Sequence, residues 1–287
     1  FAVWKGVDEK NQDEPYWESP FGNGRPGWHI ECSALSRHYI GDTLDIHGGG
    51  ADLIFPHHEN EIAQSEAATG CPLSKIWMHN GMLNVDNKKM SKSLSNFFLV
   101  REAAGKYGYP PIRFMLLNAH YRSQLNYSSD VMESAINSLD RLQNCYDLIK
   151  RVSEAAIKGE VGGDVKKIAC ARKEQFIRAM DDDLNTADGI SAIFELTRDI
   201  NTLISNGVNK SEIDMLSELF NELCGVIGIE FKIGDCEIPK EVLDLVEKRK
   251  VARSEKNFAL ADKIREKIKM LGFSIEETRQ GCVIKKT

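Results

Sequence analysis

The spacing of apolar residues changes near Ser129, and this change limits most narrowly how the chain can fold. Before Ser129, strand-length runs such as TLDIHGGG and IWMHNGMLNV alternate with helix-like segments such as HENEIAQSEAAT, which is the pattern of an α/β layer. After it, the stretch VMESAINSLDRLQNCYDLIKRV places apolar residues three or four positions apart, which is typical of an amphipathic helix. The sequence therefore predicts an α/β part followed by a mainly helical part.

The helical part contains further segments of the same period. These are KEQFIRAMDDDL, ADGISAIFELTRDINTLI and SEIDMLSELFNELCGVIG; a polar break at 181–186 separates the first two, and Gly225 and Gly228 stop the last. With the first stretch they predict a bundle of about four helices. After a break at FKIGDCEIPK, two helix-like segments and two strand-like runs, FSIEET and CVIKK, predict a small final α/β unit.

Composition narrows the class of protein. The 287 residues are 42% hydrophobic and 28% charged, as in ordinary globular proteins, and the length predicts about two domains. No apolar run approaches the ~18 residues of a membrane span, so no membrane partner is expected. Seven cysteines without regular spacing favour the reducing cytoplasm over a disulfide framework.

Charge is unevenly distributed along the chain. The net charge of −6 argues against a general nucleic-acid binder, but residues 239–287 carry 13 Lys and Arg against 8 Asp and Glu. This C-terminal excess permits local contact with a polyanion, although a solvated helix surface would have the same composition.

The string KMSKS at 89–93 is the most specific motif. It follows the strand-like MLNV in a polar stretch that predicts a loop. The ammonium groups of Lys89 and Lys92, with the interleaved serine hydroxyls, can surround phosphate oxygens. A solvated Lys/Ser loop is the plain alternative, but a five-residue string seldom matches by chance. The motif therefore predicts phosphate binding.

Cys32, His57 and Glu61 are the candidate metal ligands. His57 and Glu61 follow Pro56 on a predicted helix, four residues apart, so their side chains leave the same face. With Cys32 they offer the sulfur, nitrogen and oxygen donors that zinc accepts. The fourth position of a tetrahedral site is open to a substrate or to a residue outside this chain. We interpret His58 as a hydrogen-bonded core or surface residue, and the other six cysteines as inert core residues.

Two further features border this region. The turn Gly48–Gly50 lies between a predicted strand and the Pro56 helix, and glycines there let a ligand approach the backbone, while Asp52 can accept hydrogen bonds from ribose hydroxyls. Trp28, in GRPGWHIEC, could close over a small substrate; packing in a core or between domains is the alternative.

Together, KMSKS, GADLIFPH, GWHIECSA, DIHGGGADLIFPHHENEIAQSE, HYRSQLNYS and AMDDDLNT resemble the class I aminoacyl-tRNA synthetases and, among them, the cysteinyl-tRNA synthetases, over the whole chain. The resemblance implies ligation of cysteine to tRNA(Cys) through a cysteinyl-adenylate, with ATP as a substrate accompanied by magnesium, and with zinc as the cofactor that selects the thiol. It implies catalytic roles for Lys92 and Lys89.

The resemblance also assigns binding roles. It implies that Lys92, Asp52, Gly50 and His47 bind ATP, and that Trp28 contacts the amino acid. The implied fold is the second half of a Rossmann-like class I catalytic domain, then a helical bundle and a small C-terminal α/β unit.

The implied division of the chain has four parts. Residues 1–96 would complete the nucleotide-binding fold with the zinc site and KMSKS, and 97–130 would form a connecting segment that contacts the tRNA stem. Residues 131–235 would be the anticodon-side bundle, and 236–287 a small tRNA-binding unit.

Two family features are missing from this sequence: the HIGH tetrapeptide and an upstream cysteine that supplies a fourth zinc ligand. Because the chain also starts with Phe1 inside a strand-like run, we interpret it as the C-terminal portion of a cytoplasmic, monomeric enzyme, inactive without its N-terminal half. A cysteine ligase acting on an amino-sugar, of the mycothiol type, and a non-catalytic tRNA-binding remnant are the alternatives.

Overall fold

The computed structural model describes residues 1–8, 13–90, 99–232, 239–254, 257–278 and 281–286. The chain forms two compact units, Phe1–Glu230 and Phe231–Thr287. Within the described residues no helix combines the length and the apolar character that crossing a membrane requires. The predicted order, α/β first and mainly helical afterwards, is confirmed; the finer division into four parts stays a prediction.

The first part of unit 1 is built from short elements. They are β1 (Trp4–Gly6), β2 (Gly24–Pro26), α1 (Trp28–Tyr39), β3 (Leu44–Gly50), α2 (Glu59–Thr69), β4 (Ser74–Asn80), β5 (Leu83–Val85), β6 (Lys88–Lys89), α3 (Val100–Tyr107), α4 (Tyr109–Leu117) and β7 (Leu125–Tyr127).

Strands β3 and β4 form a parallel pair, and α2 makes the crossover between them and packs against α1. Ile46 pairs with Ile76 across this sheet, and the two side chains are 59% and 54% exposed. Parallel strands are normally covered on both faces. This pair therefore presents an apolar surface that the described residues leave open.

The strand-like run IWMHNGMLNV is two strands rather than one. The amide of Gly81 donates to the carbonyl of Tyr121 at 2.7 Å, so the chain leaves β4 there and enters a second sheet with the order β6–β5–β7. Within that sheet β5 and β6 form a hairpin, whose turn residues Asp86 and Asn87 have φ angles of 47° and 62°. This left-handed pair is the geometry that two-residue hairpins prefer.

The predicted bundle is present as α5 (Ser129–Ala155), α6 (Gly163–Asp181), α7 (Thr186–Asn206) and α8 (Lys210–Ile227). Polar side chains begin three of these helices: Ser128, Asn185 and Asn209 each accept a hydrogen bond from a first-turn amide. Helix α8 ends at Gly228, whose φ is 73°, and it runs through Gly225. The predicted stop at Gly225 is therefore wrong, because only Gly228 adopts the left-handed conformation that closes a helix.

The bundle interior is apolar, with fully buried side chains on the facing stripes of its helices; they include Met132, Leu142, Ile149, Ile193, Leu196, Ile200, Ile213, Leu216 and Phe220. Helix α4 joins this interior, burying Phe114 and Met115. Its Arg113 donates from Nε to the carbonyl of Ile227 at 2.9 Å. This bond satisfies a carbonyl that the end of α8 would otherwise leave without a partner.

Unit 2 contains α9 (Lys240–Ser254), α10 (Phe258–Met270), β8 (Phe273–Thr278) and β9 (Gly281–Lys286), with β8 and β9 antiparallel. A small apolar cluster of Val242, Ile264, Ile268 and Phe273 joins its helices to β8. The predicted helices and strand pair of the final unit are thereby confirmed.

Candidate metal centre

Two helical segments carry the candidate ligands. Helix α1 begins at Trp28 and carries Cys32 on its second turn. On the other side, the segment Ile54–His58 leads into α2 and is kinked at Phe55, whose φ and ψ angles of −131° and 131° are those of extended backbone. Pro56 therefore lies just after the extended residue, where its fixed φ suits the start of helical backbone, although the regular α-helix begins three residues later.

The structure brings Cys32, His57 and Glu61 together. One ligand atom from each lies within 4.8 Å of the others. Ligands of a tetrahedral zinc ion stand about 3.5 Å apart, from bonds of about 2.0–2.3 Å. His57 and Glu61 are 5% and 1% exposed, and Cys32 is half-buried. The donor types suit zinc, and the three ligand atoms are close enough for small side-chain movements to bring them to one ion.

Glu61 belongs to a second group of the same kind. His47, His58 and Glu61 also bring ligand atoms within 4.8 Å of one another. Oε2 of Glu61 lies 3.1 Å from Nε2 of His47 and 3.4 Å from Nε2 of His57. No Lys or Arg pairs with Glu61 among the residues that the structure describes. A buried carboxylate of this kind needs a compensating positive charge.

Two histidines that the sequence analysis did not select orient the others. Nδ1 of His29 lies 2.9 Å from Nδ1 of His57, and Nε2 of His79 lies 2.8 Å from Nδ1 of His58. Such a bond to the second ring nitrogen fixes the orientation of a metal-binding imidazole. His58 is buried and hydrogen-bonded, as the sequence analysis predicted for it. A signal for His29 was present, since it is three residues before Cys32 and so shares its helical face.

The surroundings of these groups favour their neutral forms. Burial raises the pKa of the Cys32 thiol, and the nearby carboxylates of Glu61 and Glu31 raise it further. Burial lowers the pKa of His29 and of His58, and neighbouring histidines act in the same direction. A cation bound between sulfur, imidazole and carboxylate would reverse this balance for the thiol.

Aromatic rings border the cluster on two sides. The Trp28 ring lies tilted against that of His57, with ring centroids 4.4 Å apart and an interplanar angle of 32°, and more than half of the Trp28 surface is exposed. Trp77 contacts His47 and His58 from β4, at 4.9 Å and 5.2 Å. Trp28 therefore lies at the solvent side of the site, where contact with a small substrate is possible.

The predicted nucleotide-binding residues fall in different places. Asp52 is exposed in the turn after the carboxyl end of β3. A Cβ on Gly50 would lie 2.4 Å from Oδ1 of Asp52, so a larger residue at this position would displace the carboxylate from the place it has here. His47 instead lies against Glu61 in the histidine cluster. Lys89 ends β6, and Lys92 lies outside the described residues.

Two family models match the chain. Residues 1–137 match the tRNA synthetases class I (C) catalytic domain, and residues 175–232 match the DALR domain. The second match covers the end of α6 and all of α7 and α8.

Whole-chain relatives agree with these matches. A cysteine--tRNA ligase of Caldicellulosiruptor saccharolyticus is 47% identical over all of this chain and 61% of its own length. One from Lachnospira eligens is 48% identical over 98% of this chain and 60% of its own length. The chain thus spans about three fifths of the curated relatives that it matches.

A solved structure gives the fold independently of close sequence similarity. The ternary LeuRS–tRNA–LeuAMS complex of Agrobacterium radiobacter K84 superposes with a TM-score of 0.56 at 13% identity, over 77% of this chain and 34% of that one. The chain is therefore homologous over its whole length to the cysteine--tRNA ligases, and it contains a class I tRNA synthetase catalytic segment at 1–137 and a DALR domain at 175–232.

Proposed function

We propose that this chain supplies part of an enzyme that joins cysteine to tRNA(Cys) with ATP. In the first step the cysteine carboxylate attacks the α-phosphate of ATP, forming cysteinyl-adenylate and releasing pyrophosphate. In the second, a ribose hydroxyl at the 3′ end of the tRNA attacks the acyl carbon and AMP leaves. The observation that carries this proposal is the convergence of Cys32, His57 and Glu61 in a chain homologous to cysteine--tRNA ligases.

Cys32, His57 and Glu61 would hold zinc. When bound, the ion supplies a position that accepts a thiolate far better than a neutral hydroxyl, and so distinguishes cysteine from serine. Recognition of this kind is strong enough to work without editing, whereas apolar pockets separate close analogues poorly. His29 holds the ring of His57 through its Nδ1, and Trp28 would cover the bound amino acid.

The nucleotide would lie at the carboxyl ends of β3 and β4, where parallel α/β sheets bind their ligands. Asp52 is exposed at that edge and would accept hydrogen bonds from the ribose, with Gly50 giving close access and His47 nearby. Lys92 and Lys89 would stabilise charge on the phosphates, which magnesium would accompany.

The other partners follow from the same proposal. The exposed face of the β3–β4 pair would receive the N-terminal half of the same protein, which would add the missing signature and ligand. The excess of Lys and Arg in residues 239–287 would contact tRNA. The completed enzyme would act as a monomer in the cytoplasm.

The test uses the complete gene product in cysteine-dependent ATP–pyrophosphate exchange, with serine as the competing substrate. We expect Cys32→Ser to lower kcat/KM for cysteine by at least about 100-fold. Cys71→Ser, which changes an exposed cysteine, is the matched control and leaves kcat/KM unchanged. Equal rates with cysteine and serine would overturn the proposal; transfer of cysteine to an amino-sugar in preference to tRNA would support the related ligase instead.

A further inference from the structure

The corner between α6 and α7 has an unusual backbone. Asp183 and Leu184 are consecutive and both left-handed, with φ angles of 54° and 55°. This conformation is unfavourable for a residue with a side chain, although Asp and Asn tolerate it better than Leu does. Backbone bonds hold the corner, from the amide of Leu184 to the carbonyl of Met180 at 3.2 Å and from Asn185 to Ala179 at 3.1 Å.

The carboxylate of Asp183 binds a segment of the α/β part about sixty residues earlier. Oδ1 accepts a hydrogen bond from the hydroxyl of Tyr121 at 2.7 Å, and Oδ2 accepts one from Nε of Arg122 at 2.5 Å. Nε2 of His120 lies 3.8 Å from the same Oδ2. Three consecutive side chains therefore meet one carboxylate on the helical bundle.

The same segment is bonded on its other side to the two sheets. The carbonyl of Tyr121 accepts from Gly81 at 2.7 Å, and the amide of Leu125 donates to Met82 at 3.0 Å. A Cβ on Gly81 would lie 2.1 Å from the carbonyl oxygen of Ser123, so the two backbones are in direct contact. The residues that Asp183 holds are thus fixed to the junction of β4 and β5.

From that junction the connection continues to the β5–β6 hairpin. Strand β7 follows the segment directly and pairs with β5. Oδ1 of Asn126 accepts from the amide of Asn87, in the hairpin turn, at 2.7 Å. The hairpin ends at Lys89, three residues before Lys92.

We propose that Asp183 is a positioning residue, which fixes the segment His120–Arg122 and through it the β5–β6 hairpin, at whose end Lys89 lies and which Lys92 follows in the sequence. Asp183 lies in the part that matches the DALR domain, and Arg122 lies in the part that matches the catalytic domain. The carboxylate therefore joins the two parts at the base of this hairpin. The catalytic consequence rests on the proposed function, whereas the mechanical link does not.

A simpler interpretation is that Asp183 is present only because Asp tolerates the left-handed backbone conformation of this turn. Substitution by glycine distinguishes this interpretation from a role of the carboxylate. Asp183→Gly removes the carboxylate, and it keeps the left-handed backbone conformation at a lower cost in conformational free energy. Leu184→Gly relieves the same kind of backbone cost at an exposed side chain that makes no polar contact, so it is the matched control.

Hydrogen exchange in the complete gene product tests the link without any assay of activity. We expect Asp183→Gly to speed exchange of the amides of Gly81, Asn87 and Leu125 about tenfold, and Leu184→Gly to leave it unchanged. Asp183→Asn, which keeps an acceptor for Tyr121 but loses the charge opposite Arg122, should be intermediate. Unchanged exchange in Asp183→Gly, or an equal rise in Leu184→Gly, would overturn the proposal.

Exchange of pyrophosphate into ATP tests the catalytic consequence. We expect Asp183→Gly to lower kcat about tenfold, because misplaced lysines act in the transition state. KM for cysteine should be unchanged, since the sulfur site lies on α1 and α2. A raised KM for cysteine with unchanged kcat would refute the positioning role. Lack of exchange in the unaltered protein would instead refute the proposed function, and amide exchange would still decide the link.

Discussion

The first 80 residues and the helical bundle bury opposite kinds of side chain. Among the described residues, five of the six buried polar or charged side chains are Ser33, His57, His58, Glu61 and Ser65, all in the first region. The sixth, Thr197, lies in the bundle, where its hydroxyl donates to the carbonyl of Ile193 at 2.9 Å. The other buried residues of the bundle are almost all apolar.

The two kinds of buried side chain contribute differently to the free energy of folding. Burial of apolar surface is the main favourable contribution to folding, and in unit 1 it is concentrated in α4 to α8. Burial of carboxylate and imidazole groups costs free energy unless they are paired or bind a cation. The comparison indicates that the bundle stabilises a neighbouring region whose interior is arranged for binding.

The largest expected effect is on the bundle side of this comparison. Leu196→Ala should lower the free energy of unfolding by about 3 kcal/mol, because Leu196 is fully buried and the change leaves a cavity. Urea unfolding measures it. Val226→Ala, at an exposed position of α8, should change it by less than about 0.5 kcal/mol. Equal effects of the two variants would break the comparison.

In the first 80 residues, substitution of a buried polar residue should change metal binding more than stability. Glu61→Gln should weaken zinc binding by about 100-fold, because it removes a charged donor. The free energy of unfolding of the zinc-free protein should not fall, since a buried charge is also removed. Competition with a chelator measures the affinity. Glu59→Gln, on an exposed face of the same helix, is the control, and loss of affinity there would contradict the assignment.

Loss of a single buried hydroxyl should lower the free energy of unfolding more in the first 80 residues than in the bundle. Oγ of Ser33 donates to Oε1 of Gln64 at 2.9 Å, and Nε2 of Gln64 is already buried with no partner among the described residues. Ser33→Ala should therefore cost about 1–2 kcal/mol in free energy of unfolding. Thr197→Val, in apolar surroundings, should cost less than about 0.5 kcal/mol by the same reasoning. Urea titrations of both variants decide, and the reverse order would refute the contrast.

The smallest expected effect is on the stability of the protein at acidic pH. Lys210 and Ser153 hold the pKa of Asp214 below 3.8, so this group contributes stability above pH 3.8 that is lost as the pH falls through its lower folded value. Asp214→Asn should therefore show a shallower fall in unfolding midpoint between about pH 4 and 2. Glu154→Gln, exposed on α5, is the control. A slope in Asp214→Asn as steep as in the unaltered protein would disprove this contribution.

Much of the fold could be predicted because its signals are local. The long helical period after Ser129, the break at 181–186 and the final strand pair depend on neighbouring residues, and all three are confirmed. The split of IWMHNGMLNV could not be predicted, because it depends on a bond from Gly81 to the distant Tyr121. Helix length was also underestimated for α6, which begins at Gly163.

The candidate site also contains some residues that could be predicted from the sequence and others that could not. His57 and Glu61 share a helical face, so their proximity follows from spacing alone, while Cys32 was placed by chemistry and by resemblance. His79 was missed because it reaches His58 through the pairing of β3 with β4, and strand pairing cannot be read from either strand by itself. The roles of Lys92, Lys89, Asp52 and Trp28 stay predictions.

The bond from Arg113 to the end of α8 has a consequence for how the protein is made. Arg113 and Ile227 are 114 residues apart in sequence, so this contact is among the last of unit 1 that a growing chain can form. At about 5–20 residues per second, roughly ten seconds pass on the ribosome between synthesis of the two. During that interval α4 can pack against α5, which is made earlier, but its apolar face has no partner in α8 until the bundle is complete.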